Sequence, residues 1–567
     1  MQPRVFDLLC YLVRHRERVI SKDELLDALW PGTIVVDNAL QRVVSLARAA
    51  LADVGLGEAV RTYPRHGYRF CIDDCDPPLP GNSPAPTEGV AEARTAYDRS
   101  DWRTACEAYA AADAQSPLPA QDVEQWGRAA ICAGLGPSAV AALERLVAQR
   151  DAEGDGLGAA RAALLLVQIR IDHKQAAMAR GLLQRASRYL DGQTPSVERG
   201  HFAWMASRMA MISGDADNAL AMADEACSLG RSLRDPDVEC LGLVYRGHAL
   251  MMQGLIASGL VQHEEAAAVI RLGGVRSWVG GLALCAILSA ARCRHDWLRA
   301  AQVAETFVEW SRASRMPAFP GTCQLHHAAV LGVQGELQRA ASEVRAAAAL
   351  LAQAAPWAEG DAYCVLGDIQ LSVGDFEGAE ASFREAHALG WDPQPGLARL
   401  HLLTGRPELA RRGLEGALEE GDWTVLERRG QILCLLVRAA VAAGDVERGR
   451  EALLLLEAEP QIVATEALKA MHCGAKAELA LVDGDFKLAA RLLRDAVRHW
   501  REVGSPVGEA ETRLRLAECL LQDRDASGSE WELGVVESKL AASSLAHRER
   551  LGALREALRN AQRLAQG

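Results

Sequence analysis

Four polar side chains between residues 41 and 48 are spaced so that they share one side of a helix. Gln41, Arg42, Ser45 and Arg48 follow one another at steps of one, three and three residues. Glutamine and arginine carry paired hydrogen-bonding groups that match base edges in the major groove of duplex DNA, and serine bonds to several bases. The pattern therefore predicts a helix that turns these four side chains toward a DNA groove.

The other side of the same helix is apolar. Leu40, Val44, Ala47 and Leu51 recur at steps of four, three and four residues, so they form one stripe that must pack against other elements. Upstream, Ser21 precedes a glutamate by three residues, which is the spacing of a capping box, and SKDELLDALW is predicted as a second helix. VFDLLCYLV is predicted as a third helix before it.

A basic hairpin is predicted after the three helices. The stretches from Val60 to Tyr63 and from Tyr68 to Ile72 alternate as strands do, and the turn between them reads PRHG. This turn places Arg65 at the tip. Three helices followed by such a hairpin make a winged helix, which would contact DNA once through the helix and once through the wing.

These residues also carry a family resemblance. The blocks LLCYLVRHRERVISKDELLDALWPG, DNALQRVVSLARAAL and RTYPRHGYRF resemble, in order and spacing, the OmpR/PhoB-type winged helix of CadC-like regulators. The resemblance implies that the helix beginning at Asp37 is the recognition helix and that Thr62 and Arg65 lie in the DNA-contacting wing. It also implies that Trp30 to Val36 form a loop that can be offered to RNA polymerase. The family opens with a small β-sheet of about twenty residues, whereas this chain begins at the first helix, so we expect either an upstream start or a trimmed domain.

The candidate DNA-contacting residues are Asn38, Gln41, Arg42, Ser45, Arg48, Thr62, Arg65 and His66. Two plainer interpretations remain open beside this one. The arginines of the hairpin could form an ordinary solvated face, and Arg48 could brace the helix against the wing.

Charge and composition separate the two parts of the chain. The 567 residues carry a net charge of -13, but residues 1–70 hold ten Lys or Arg against eight Asp or Glu, which leaves -15 for the rest. The net positive charge is thus confined to the N-terminal segment. Fourteen cysteines lack any CxxC pair, which favours buried thiols in a reducing cytosol, and no stretch of 18 uncharged apolar residues occurs. We therefore expect a cytoplasmic protein with no membrane contact.

The rest of the chain is predicted to be a helical repeat. Residues 1–75 form the predicted winged helix, 76–92 a Pro-rich linker, 93–525 a tetratricopeptide-like α-solenoid and 526–567 a C-terminal helical cap. A turn signal recurs about every 40 residues, in which Gly ends one helix, Asp begins the next and Ala allows close packing. The turns begin at Ser100, Gly136, His173, Gly214, Gly254, His295, Gly335, Gly374, Gly405, Gly444 and Gly484. Residues 95 to 520 resemble the helical-repeat region of large LuxR-type regulators, so the fold class is mainly α.

No motif predicts enzymatic chemistry. Gly154, Gly156 and Gly158 follow no apolar strand, so they are interpreted as an inter-helix turn and not as a nucleotide loop, and no GxxxxGK[ST] sequence occurs. His326 and His327 are interpreted as core or groove histidines because further ligands at metal-binding spacing are lacking. We therefore predict no enzyme, no cofactor and no metal.

Two functions remain. The first is a DNA-binding transcriptional regulator whose partners are double-stranded DNA, RNA polymerase and a protein or small-molecule effector at the solenoid. The second is a helical-repeat interaction scaffold whose truncated winged helix no longer binds DNA. Coding sequence upstream for two or three strands would favour the first function.

Overall fold

The computed structural model divides the chain into two compact units, Met1–Thr87 and Glu88–Gly567. It describes residues 3–15, 19–29, 37–52, 59–63, 67–70, 88–133, 135–313, 322–419, 423–540 and 545–566.

In its described residues, the first unit has three helices and a two-stranded hairpin, as the sequence predicts. Its elements are α1 (Pro3–Arg14), α2 (Lys22–Leu29), α3 (Asp37–Ala52), β1 (Val60–Tyr63) and β2 (Gly67–Phe70). The predicted stripe of α3 lies in the core, where Leu40, Val44 and Ala47 are at most 2% exposed. They pack with apolar side chains of α1 and α2, so the core fixes which side of α3 faces outward.

Local hydrogen bonds set the start of α2 and the position of the hairpin. The Ser21 hydroxyl accepts a bond from the Glu24 amide at 3.2 Å, which is the predicted cap, and the Glu24 carboxylate accepts from the Tyr11 hydroxyl at 2.9 Å. Ile20 exchanges two backbone hydrogen bonds of 2.9 Å with Tyr68. At Gly67 a Cβ atom would lie 1.8 Å from the Ile20 carbonyl oxygen, so only glycine allows this close approach.

The second unit is an α-solenoid of helical hairpins, which confirms the predicted fold class. The helices α4 to α15 are Glu88–Asp98, Trp102–Gln115, Ala120–Ala133, Gly136–Ala152, Gly156–Asp172, Ala176–Leu190, Val197–Ile212, Ala216–Leu233, Pro236–Met252, Ile256–Leu272, Ser277–Cys293 and Trp297–Ala313. The helices α16 to α28 are Thr322–Val333, Leu337–Ala354, Pro356–Val373, Phe376–Ala388, Gly396–Leu403, Pro407–Glu419, Trp423–Ala442, Val446–Glu457, Glu466–Val482, Phe486–Val503, Pro506–Gln522, Ala526–Leu540 and Leu545–Gln566, with a short 3-10 helix at Pro460–Val463.

The turns inside the hairpins have the predicted chemistry. Gly374 and Gly484 take φ values of 92° and 76°, and the aspartate after each accepts a hydrogen bond from a backbone amide of the next helix. The interval from Gly374 to Gly405 is short because α20 has only 8 residues.

The turn predicted at His173 begins there, directly after α8 ends at Asp172, and its left-handed residue is Lys174, with a φ of 59°. One predicted turn position differs from the structure. Gly136 is the first residue of α7 and not a left-handed turn residue.

Hairpins far apart in sequence also meet within the second unit. The Gln431 amide donates to the Cys293 carbonyl oxygen at 3.1 Å and to His295 Nδ1 at 2.7 Å. Lys174 donates to the Leu389 carbonyl oxygen at 3.0 Å. Burial lowers the pKa of His295 to about 3, so the ring is neutral and its Nδ1 can accept this hydrogen bond.

The cysteines that the structure describes are thiols, and most are buried in the array. Burial raises the pKa of Cys132, Cys240 and Cys434 to about 12, so these groups stay protonated and pack as small apolar side chains. Among the described helices, none is both long and apolar enough to cross a membrane.

Candidate nucleic-acid interface

The outward side of α3 carries the predicted polar residues. Gln41, Arg42 and Ser45 are exposed, while the apolar residues between them are buried. An exposed helix face with these side chains can donate to and accept from base edges, provided that the helix lies along the major groove.

Leu46 lies in the same exposed row, and the sequence analysis did not include it. Leu46 is 37% exposed, although a leucine in a helix that packs on the core is normally buried. The exposure of Leu46 could have been predicted from the sequence, because Leu46 follows Ser45 directly and falls outside the predicted apolar stripe. An apolar side chain at this place can contact the methyl group of thymine.

Arg48 lies at the edge of this face and binds the wing. Its Nε and Nη2 donate to the Val60 carbonyl oxygen at 2.9 and 2.7 Å, and its Nη2 also donates to the Thr62 hydroxyl at 2.7 Å. These bonds correspond to the interpretation in which Arg48 braces α3 against the hairpin. Arg48 and Thr62, both predicted to contact DNA, therefore contact each other in this structure.

The hairpin brings two arginines together across its strands. In the antiparallel register Arg61 lies opposite Arg69, and Thr62 lies opposite Tyr68. Arg61 is exposed, and Tyr68 points into the core at 5% exposure. One side of the wing thus anchors the hairpin, and the other carries both arginines.

Several predicted site residues lie outside the described part of the chain. Arg65 and His66 stand in the sequence between Tyr63 and Gly67, outside the described residues. Residues 30–36, which precede α3 in the sequence, also lie outside them. Asn38 lies on the first turn of α3, but its side chain is not described.

The array contains a polar cavity of about 460 Å³ beside the first turns of α10, α12 and α14. Arg128, Arg161 and Arg276 line it together with carboxylates, and Arg161 donates to Glu198 at 2.8 Å. His201 also lines the cavity, and burial followed by the charge of Arg276 lowers its pKa to about 4. The cavity therefore offers paired positive and negative groups next to a neutral imidazole.

The two adjacent histidines of the array differ in their surroundings. His326 is 4% exposed and lies in the core, in agreement with its interpretation as a core residue. His327 is partly exposed, and its Nδ1 lies 2.8 Å from a carboxylate oxygen of Glu343.

The first unit as described is a winged helix, with α2 and α3 as its helix-turn-helix part and β1 and β2 as its wing. Residues 1–70 match the family described as transcriptional regulatory protein, C terminal. The chain is 32% identical over 74 residues to the transcriptional activator CadC of Escherichia coli (strain K12), which covers 13% of this chain and 14% of CadC. It is 38% identical over 72 residues to the uncharacterized transcriptional regulatory protein YvcP of Bacillus subtilis (strain 168), which covers 12% of this chain and 30% of YvcP. The chain thus carries an OmpR/PhoB-type domain at its N-terminus, as the resemblance implied, and it spans less than a third of either relative.

Two solved structures resemble the chain over most of its length at low identity. The APC/C hetero-tetramer Cut9–Hcn1 has a TM-score of 0.41 at 12% identity, over 83% of this chain and 95% of the matched chain. A Rap protein complexed with competence and sporulation factor has a TM-score of 0.37 at 13% identity, and the match covers 71% of this chain and 99% of the Rap chain.

Proposed function

We propose that this chain is a transcription regulator that binds duplex DNA through its first unit. The observation that carries the proposal is the exposed row of Gln41, Arg42 and Ser45 on α3, next to a wing that Arg48 holds in place. The match of residues 1–70 to transcriptional regulatory proteins supports it.

In this proposal α3 enters the major groove and the wing follows the phosphate backbone. Gln41 has the paired groups that bind adenine, Arg42 has those that bind guanine, and Leu46 contacts a thymine methyl group. Arg65 and His66, which stand between the two strands in the sequence, contact phosphates or the minor groove. The wing contacts position the domain, while the side chains of α3 select the sequence.

We further propose that the array senses an effector and that the loop from Trp30 to Val36 contacts RNA polymerase. The cavity beside α10, α12 and α14 supports the first of these roles, because Arg128, Arg161, Asp235 and Glu198 are among the residues that line its volume of about 460 Å³. Such a lining suits a small molecule that carries both a carboxylate and an amine. The acidic array itself would repel DNA, which leaves the first unit as the contact.

The DNA-binding proposal can be tested by selecting duplexes from a random pool with the full chain. We expect one sequence class to be enriched by the wild-type protein and lost with a Gln41→Ala, Arg42→Ala double variant. Arg188→Ala removes an exposed charge from the array and serves as the matched control, which should enrich the same class. If no duplex is enriched by the wild-type chain, the scaffold function is the better description.

The effector proposal has its own test. Thermal melts of the full chain in a panel of free amino acids should reveal a ligand that raises the melting temperature. Arg161→Gln should remove that rise, and Arg188→Ala should keep it. A ligand whose effect survives Arg161→Gln binds elsewhere and contradicts the assignment of this cavity.

A further inference from the structure

Three side chains at one end of the α24–α25 hairpin converge as ligands of a metal ion would. Glu466 is the first residue of α24, and His499 and Glu502 lie one turn apart near the end of α25. Because residues three apart share a helix side and the two helices form a hairpin, the start of α24 meets this side of α25. One ligand atom from each of the three residues lies within 4.8 Å of the other two.

The hydrogen bonds of Glu466 show how close the groups are. Its Oε2 lies 2.6 Å from His499 Nδ1, and its Oε1 accepts from Lys469 Nζ at 2.6 Å. The Glu502 carboxylate also lies within hydrogen-bonding reach of Glu466. Lys469 thus pairs with the Glu466 carboxylate, which lies next to a second carboxylate and an imidazole.

The chain contains a nearly identical arrangement that lacks the second carboxylate. Glu457 accepts from Lys476 Nζ at 2.9 Å and lies 3.2 Å from His472 Nε2, which repeats the set of one glutamate, one histidine and one lysine. In the part of the chain that the structure describes, only the first set gains a third ligand atom within 4.8 Å. The comparison isolates Glu502 as the residue that turns an ordinary ion pair into a three-ligand set.

We propose that Glu466, His499 and Glu502 bind a divalent transition-metal ion, for which Zn²⁺ is the probe. One imidazole and two carboxylates suit Zn²⁺ or a similar first-row ion, whereas Mg²⁺ and Ca²⁺ prefer oxygen ligands alone. Three protein ligands leave a fourth position for water. Zinc ligands at about 2.0–2.2 Å stand roughly 3.3 Å apart, so Glu466 and His499 would have to separate slightly to admit the ion between the three ligands.

The ion would join two helices of one hairpin near the C-terminal end of the array. It would replace the hydrogen bond between His499 and Glu466, whereas Lys469 can keep its contact with the other carboxylate oxygen. Binding would stabilise the folded array, because the unfolded chain does not hold the three ligands together. The inference does not depend on the proposed DNA binding. Sequence spacing could not reveal the site, since Glu466 and His499 are 33 residues apart.

The test uses the full chain, stripped of metal with a chelator under reducing conditions and titrated with Zn²⁺ against a chromogenic competitor. The decisive variant is Glu502→Gln, because Glu502 is exposed and its replacement leaves the core intact. His499→Gln is the second variant. His472→Gln is the matched control, since it removes a histidine from the pair that lacks a third ligand.

We expect the wild-type chain and His472→Gln to bind one Zn²⁺ more than either site variant does, or to bind it at least about tenfold more tightly. We also expect Zn²⁺ to raise the melting temperature of wild type and control, but not of Glu502→Gln. Zinc held by thiols elsewhere would appear equally in all four proteins. Equal uptake by wild type and Glu502→Gln would overturn the proposal, even if His499→Gln failed to fold.

Discussion

The Arg48 guanidinium and the Thr62 hydroxyl are joined by a hydrogen bond of 2.7 Å, which links α3 to the first strand of the wing. Together with the two bonds from Arg48 to the Val60 carbonyl oxygen, this contact ties α3 to the hairpin. If both elements reach the same duplex, as we propose, this connection leaves less ordering to be done on binding.

Replacing Arg48 should therefore loosen the wing. Arg48→Ala removes three hydrogen bonds, two of them to a backbone oxygen, and should cost about 1–3 kcal/mol of local stability. Hydrogen exchange of peptides from β1 and β2 in the full chain should accelerate. Thr62→Val removes one of the bonds and should have a smaller effect. Unchanged exchange in Arg48→Ala, together with weaker DNA binding, would instead indicate direct contact of Arg48 with DNA.

Gln41 and Arg42 should determine sequence preference. Replacing either with alanine should cost about 1–3 kcal/mol on the preferred duplex and much less on a scrambled one, because paired hydrogen bonds to a base edge are lost. Binding of the full chain to both duplexes measures this. Arg188→Ala in the array is the control for loss of one charge. If Arg42→Ala weakened both duplexes equally, Arg42 would be a backbone contact.

Arg65 should behave in the opposite way. Arg65 is expected to neutralise a phosphate from the wing. Arg65→Ala should therefore lower the affinity for all duplexes alike and reduce the number of counterions released on binding by about one. Titrations at several salt concentrations, on preferred and scrambled duplexes, give the slope directly. A loss confined to the preferred duplex would assign Arg65 to base or groove-shape recognition.

The turn glycines should contribute to the stability of the array mainly through backbone conformation. At Gly484, with a φ of 76°, an added Cβ would meet no described atom within 4 Å, so we expect the strain of the left-handed backbone to dominate the cost of Gly484→Val. That strain is about 1–2 kcal/mol, and Gly374→Val should behave similarly. Gly181→Ala within α9 is the control, since it should stabilise the helix slightly. Circular dichroism melts of the full chain compare the variants, and unchanged melting of both valine variants would contradict the prediction.

The stability of the array should fall in mild acid. His248 and His263 face each other at 2.9 Å, and burial lowers the pKa of His248 to about 4 and that of His263 well below its usual 6.5. Arg294 and Arg299 oppose protonation of His263 further. The unfolded chain therefore binds more protons below pH 6.5, and the free energy of unfolding should drop by up to about 1.4 kcal/mol per pH unit for each histidine until its folded pKa is reached.

Melts between pH 7 and pH 5 test this dependence. A His248→Gln, His263→Gln double variant should lose less stability over that range than the wild-type chain. His387→Gln, at an exposed position, is the control and should follow the wild type. Parallel curves for the double variant and the wild type would show that the pair does not titrate on unfolding.

Much of the fold follows from local sequence patterns, whereas contacts between distant residues do not. The stripe of Leu40, Val44 and Ala47 predicted the buried side of α3, because helical periodicity is a local property. The role of Arg48 stayed open, because its side chain is long enough to reach either a phosphate or the Val60 carbonyl oxygen. The left-handed conformation of Lys174 was not predicted, since no glycine occupies that position.

The contact between Gln431 and His295 could not have been predicted in the same way. It depends on how small rotations between successive hairpins add up over 136 residues, and no local pattern encodes that sum. The same holds for the site at Glu466, where each residue taken alone is an ordinary helix residue.

The bond between Gln431 and His295 also bears on how such a chain can change in evolution. A helical-repeat protein whose hairpins touch only their neighbours can gain or lose a unit anywhere by duplication. Here an extra hairpin between residues 295 and 431 would rotate the two partners away from each other and leave a buried amide and imidazole without partners. Insertion of hairpins would therefore be tolerated at the ends of the array and selected against in its middle. The number of hairpins between these two residues would be preserved.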